Sequence, residues 1–118
     1  MGTLHKNGVS SFHIQLLSKI IDMDQYPVIK LIIENNISRE EFSELIQMLE
    51  MLDESYVQQK EEGFMDFTSL LVHFAGMLNE KLNPNHLIFA LKKEGYFPSL
   101  MDEFIKIIKR DRRGNRKS

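Results

Sequence analysis

The stretch SREEFSELIQMLEMLDESY, residues 38–56, decides the fold. Ser38 followed by Glu41 reads as a capping box. The serine side chain takes the N–H of the third helical residue, and the glutamate reaches back to the serine N–H. Behind the box, Phe42, Leu45, Ile46, Leu49, Leu52 and Tyr56 recur at steps of three and four, the period of a helix with one buried face. The other side is mostly acid and amide: Glu40, Glu44, Glu50, Asp53, Glu54 and Gln58. The spacing predicts a helix from Arg39 to about Glu62, terminated by Gly63. At ~1.5 Å per residue it spans roughly 35 Å, as long as a small domain.

The same period runs outward in both directions, and strand alternation occurs nowhere. Upstream, Leu16, Leu17, Ile20 and Ile21 lie on one side of a helix over Ser11–Ile21, ended by Asp22-Met23-Asp24. Pro27 suits a first helical position, and the short helix it opens stops at Asn35-Asn36, where Asn tolerates a left-handed cap. Downstream, Asp66 caps a helix from Phe67 to about Lys81. Asn83 and Pro84 open a fifth helix that ends before Gly95, and Pro98 opens a sixth with Leu100, Met101, Phe104, Ile105 and Ile108 in one stripe. The expected fold is all-α, about six helices in a multihelical bundle. It forms a single domain over residues 11–110, between a disordered terminus (1–10) and a flexible basic tail (111–118). Leu31–Leu49 and Ala90–Ile108 superpose without gaps, a match that two amphipathic helix pairs produce readily without duplication.

At 118 residues the chain can build one core and not two, and 42% apolar with 27% charged residues is the composition of a globular domain. There is no cysteine, which removes disulfides, thiolate metal sites and thiol nucleophiles and fits a reducing cytoplasm. Met1–Gly8 has no apolar signal region, and the longest apolar runs are broken by Lys30 and His73. A soluble protein without membrane contact is therefore expected. The net charge of −2 hides an asymmetry: from Lys106 to Ser118 seven Lys and Arg face Asp111 alone, giving +6 on an acidic body of −8.

Leu70-Leu71-Val72-His73-Phe74-Ala75-Gly76-Met77-Leu78 is apolar on nearly every side, and such a helix must be surrounded. Gly76 in its middle costs roughly 1 kcal/mol against Ala, which is explained if another backbone approaches closely there. Five other helices barely enclose a sixth in a chain this size, and Met48 and Met51 widen the apolar stripe of the long helix. A dimer or trimer of the chain satisfies both observations, with Leu71, Phe74, Gly76, Met77, Leu78, Met48 and Met51 at the contact. The alternative is a central helix in an ordinary monomeric bundle.

Four segments resemble the YhaI-like family of small bacillar proteins. They are Ile14-Gln15-Leu16-Leu17, Ile21-Asp22-Met23-Asp24-Gln25-Tyr26-Pro27, Gln59-Lys60-x-x-Gly63-Phe64, and Phe74-Ala75-Gly76-Met77-Leu78-Asn79-Glu80-Lys81-Leu82. Ile88-Phe89-Ala90-Leu91 and Gly95-Tyr96 extend the likeness, which covers roughly Ile14 to Lys109; the Phe74–Leu82 stretch is its specific part. The resemblance implies a multihelical fold assembled as an intertwined oligomer, and a family with no assigned activity or catalytic residues. The tail after Arg110 departs from the pattern.

No constellation for chemistry stands out. His13, His73 and His86 fall on three different helices without His-Glu-x-x-His or Glu-x-x-His spacing, and His73 reads as a hydrogen-bonded core residue. The acids of the long helix read as a solvated face, and Asp22-x-Asp24 lacks the glycine and distant glutamate of a calcium loop. Asn79-Glu80-Lys81 is the most interesting polar cluster, read chiefly as a helix end. Glycine-rich phosphate loops and nucleophile elbows are missing, so neither a catalytic centre nor a cofactor or metal is expected. The expected function is therefore assembly, an interaction or scaffold role. The alternative is a nucleic-acid-associated protein whose tail residues Lys109, Arg110, Arg112, Arg113, Arg116 and Lys117 touch phosphates. That tail equally suits a solubilising role, or a place across the acidic helix of a neighbour.

Overall fold

Helix ends direct the path of this chain. The computed structural model describes the backbone of residues 3–117 and the side chains of Val9 and residues 11–112. Among the described residues there are six helices and no strand: α1 Thr3–Leu17, α2 Pro27–Glu34, α3 Arg39–Glu61, α4 Thr68–Met77, α5 Pro84–Glu94 and α6 Pro98–Lys117. A 3-10 turn, Met23–Gln25, joins α1 to α2.

Three helices stop in the same way. After α2, α3 and α5 the chain enters the left-handed region at Asn36 (φ 53°), Gly63 (φ 94°) and Gly95 (φ 85°). In each case the next N–H reaches back five residues: Ile37 to Ile32, Phe64 to Gln59 and Tyr96 to Leu91. This bond satisfies a carbonyl that the helix end would otherwise leave unpaired. The echo between Leu31–Leu49 and Ala90–Ile108 is thus a shared stop signal followed by a new helix. The two joints restart differently. Ser38 and Glu41 make both halves of the expected capping box, whereas Phe97 takes a positive φ of 48° ahead of Pro98.

The starts of α2 and α4 depend on borrowed groups. Tyr26 offers α2 no side-chain cap. Instead Glu94, at the end of α5, accepts the Val28 N–H at 2.7 Å and lies 3.4 Å from the Ile29 nitrogen. A carboxylate there also suits the positive end of the helix dipole. At α4, Asp66 accepts both the N–H and the hydroxyl of Thr68, so the helix begins at Thr68 and Phe67 turns inward.

The core lies among α3, α4, α5 and α6, with α2 packed on α5. Phe74 and Phe104 are fully enclosed, their ring centroids 5.7 Å apart, among Leu49, Leu87, Leu91 and Leu100. Tyr56 and Phe67 meet edge-on at 4.9 Å, a favoured aromatic arrangement. Lys92 and Asp102 add an ion pair of 2.9 Å between α5 and α6.

Four boundaries differ from expectation. α1 begins at Thr3, within the segment expected to be disordered, because Gly8 does not interrupt a helix as Pro does, and it ends at Leu17 rather than Ile21. Met1 and Gly2 lie outside the described residues. α4 ends at Met77 rather than near Lys81: Leu78 is extended, and the Asn79 side chain turns back to take the Lys81 N–H. α6 continues as backbone helix to Lys117, through the segment expected to be a flexible tail.

The Glu94 bridge carries one prediction. Glu94→Ala should lower unfolding stability by about 1 kcal/mol, the usual cost of losing a helix cap. Glu94→Gln, which keeps an acceptor, should lose less. Urea denaturation followed by circular dichroism measures both.

Candidate functional site

The richest polar arrangement is centred on Glu41. Its carboxylate accepts the Ser38 N–H at 2.9 Å, the Asn79 side-chain amide at 2.8 Å and the Lys81 ammonium at 3.0 Å. Lys81 also lies 3.4 Å from the Asn36 carbonyl. One carboxylate therefore ties the start of α3 to the loop between α4 and α5. The bond from the Ser38 N–H, then those from Asn79 and Lys81, pull its pKa from 4.5 down to about 2. The Asn79 and Lys81 that looked like a helix end are a clamp on another helix.

Beside the clamp, Ile37, Leu45, Met48, Met77, Leu78 and Leu82 line much of a cleft of about 330 Å³. Its polar edge is Glu41, Glu44 and Asn79. Three of the expected contact residues, Met48, Met77 and Leu78, thus meet here. The others scatter. Phe74 is fully buried against Phe104 and Met48 is buried as well, so both serve the core of their own chain. Leu71 and Leu78 are half-buried, and Met51 faces solvent on α3.

α4 is not enclosed within one chain. Val72 is 65% and Met77 61% exposed, and His73, Ala75 and Gly76 share this open side. His73 is therefore a surface residue and not the core histidine expected. Nothing lies within 4 Å of the place a Gly76 Cβ would take, so the chain itself supplies no close backbone neighbour there.

Other chemistry stays dispersed. His13, His73 and His86 are all exposed on separate helices, and among the described residues no group of three His, Asp or Glu can hold a metal ion. A second cleft, of about 550 Å³, lies between the end of α3 and the start of α6. Burial, and then the neighbouring Glu54, raise the Asp53 carboxyl at its wall. Lys60 there sits 5.7 Å over the Tyr56 ring. Glu61 and Ser99 line the same cleft. No helix among the described residues is long and apolar enough to cross a membrane.

At the basic end, Lys109, Arg110 and Arg112 are exposed. Arg110 donates to the Thr68 hydroxyl at 3.3 Å. The Thr68 bonds, and to a lesser degree Arg110, hold the Asp66 carboxyl below its ordinary range. Arg113, Arg116 and Lys117 lie outside the residues whose side chains are described.

Two features escaped the sequence reading. Glu94 as the cap of α2 had one signal, a Pro27 helix start with no capping residue before it. The apolar cleft between α1 and α2, lined by Ile14, Leu17, Ile21, Tyr26, Ile29 and Ile33 among others, had none.

Fold and surface define an all-helical domain whose most developed features are uncovered apolar faces and a polar clamp. Residues 3–109 match a family model described as a protein of unknown function, DUF1878, and the chain belongs to that family.

The depressed Glu41 pKa sets a pH window. The clamp contributes fully above about pH 4.5 and is withdrawn as pH falls toward about 2. The stability difference between wild type and Glu41→Gln should therefore shrink across that window in urea titrations. A difference independent of pH would show that the clamp does not act through its charge.

Proposed function

We propose that this chain is a homo-oligomeric interaction or scaffold protein of the cytoplasm, a dimer or trimer, without a catalytic centre of its own. The observation that carries the reading is surface. The chain exposes 8548 Å², whereas a folded monomer of its 13.9 kDa exposes roughly 6,700 Å². Its radius of gyration of 17.1 Å likewise exceeds the about 13.5 Å of a compact domain of this length. The uncovered surface includes Val72 and Met77 on α4, Met51 on α3, and Val9, Phe12, Leu16 and Leu17 on α1. Large apolar side chains exposed together in this way suit a contact with another chain. The cysteine-free composition supports the cytoplasm. The narrower likeness to YhaI-like proteins, carried by Phe74–Leu82, agrees with assembly.

Gly76 provides the test. Within one chain Gly76→Ala meets nothing and should hold or raise stability by up to about 1 kcal/mol. Where a second copy approaches, Gly76→Leu should lower the molar mass seen by light scattering while helicity persists. An unchanged mass in that variant counts against an α4 contact, and a wild-type monomer overturns the whole reading.

A second reading, nucleic-acid association, is favoured by one observation. α6 carries its basic residues onward as a helix to Lys117, with Lys109, Arg110 and Arg112 open to solvent. A cationic helix projecting from an acidic body suits phosphate contact with counterion release. Truncation after Lys109 should then abolish salt-sensitive retention of duplex DNA; retention unaffected by the truncation would end this reading.

A further inference from the structure

α1 carries two apolar faces, and one of them lines an open cleft beside α2. Ile14 and Leu17 turn toward α2 and, with Ile21, Tyr26, Ile29 and Ile33, form most of an apolar cleft of about 360 Å³. Val9, Phe12 and Leu16 recur at i, i+3 and i+7 on a second face, roughly 130° away at 100° per residue. These three are 52%, 56% and 43% exposed, and no helix of the chain packs extensively on α1. A 15-residue helix is marginal in water without tertiary packing, so this second face calls for a cover.

We propose that the cover is α1 of a second copy of this chain. The two helices would cross about a two-fold axis, with Val9, Phe12 and Leu16 of each packed against the other. This rests on the assembly reading above and names its contact. Two observations select a second copy. Residues 9–17 contain no Asp, Glu, Lys or Arg, so the segment meets itself without like-charge repulsion and offers a charged partner nothing to pair with. The chain's surface excess of roughly 1,900 Å² also exceeds the ~800 Å² that each partner contributes to a standard interface. In a two-fold contact one patch serves both sides, so a single apolar face is sufficient.

The absence of native cysteine makes the test direct. Phe12→Cys should form a disulfide-linked dimer under mild oxidation, whereas Glu50→Cys on the outer side of α3 should not. Phe12→Glu with Leu16→Glu should raise the dissociation constant of the assembly by more than roughly 100-fold, because charge would be buried in an apolar contact. If the wild type is oligomeric, yet Phe12→Cys stays unlinked and the double variant keeps its mass, the α1 contact is overturned and the assembly reading stands. A wild-type monomer at high concentration overturns both. Binding of the wild type to anionic vesicles or duplex DNA, lost in the double variant with the oligomer intact, would assign this face to that occupant instead.

Discussion

One constraint governs this molecule: its single core leaves large apolar side chains of α1 and α4 uncovered. The core takes its largest members from α3, α4, α5 and α6, around Phe74, Phe104, Leu49 and Leu91. α2 reaches this core through Val28 and its packing on α5. α1 does not reach it, and the outer side of α4 looks away from it. What remains is an elongated body, 56 × 32 × 25 Å, with large apolar side chains exposed on α1 and α4.

Polar groups are used sparingly and mostly at helix ends. Glu41 and Glu94 do related work from opposite directions. Each takes backbone N–H groups at a helix start, one from its own helix and one from a helix 66 residues away in sequence. Each thereby couples local helix geometry to tertiary position, so α2 and the α4–α5 loop are held by bonds as well as by packing. Carboxylates committed in this way are poorly placed to act as acids or bases. These two carboxylates accordingly serve the architecture of the chain.

Helix identities were legible because caps and periods are local. Ser38 with Glu41, Asn83 with Pro84, and the stops at Asn36, Gly63 and Gly95 all act within five residues. The α3, α5 and α6 stripes likewise depend only on spacing. The errors came where an end was decided by distant groups. α4 looked continuous to Lys81 because nothing within its sequence shows that Asn79 turns aside to meet Glu41. Phe74 looked like a contact residue because an apolar helix does not reveal which of its sides the chain itself will cover.

What the sequence by itself determined is therefore the all-helical class and most helix limits. These follow from hydrogen bonds and periods that close within one or two turns. Only the tertiary structure decided which apolar residues are spent on the core and which are left bare, since that depends on how helices far apart in sequence pack. It placed Phe74 inside, Val72 and Met77 outside, Glu94 on α2, and α1 beyond the reach of the core.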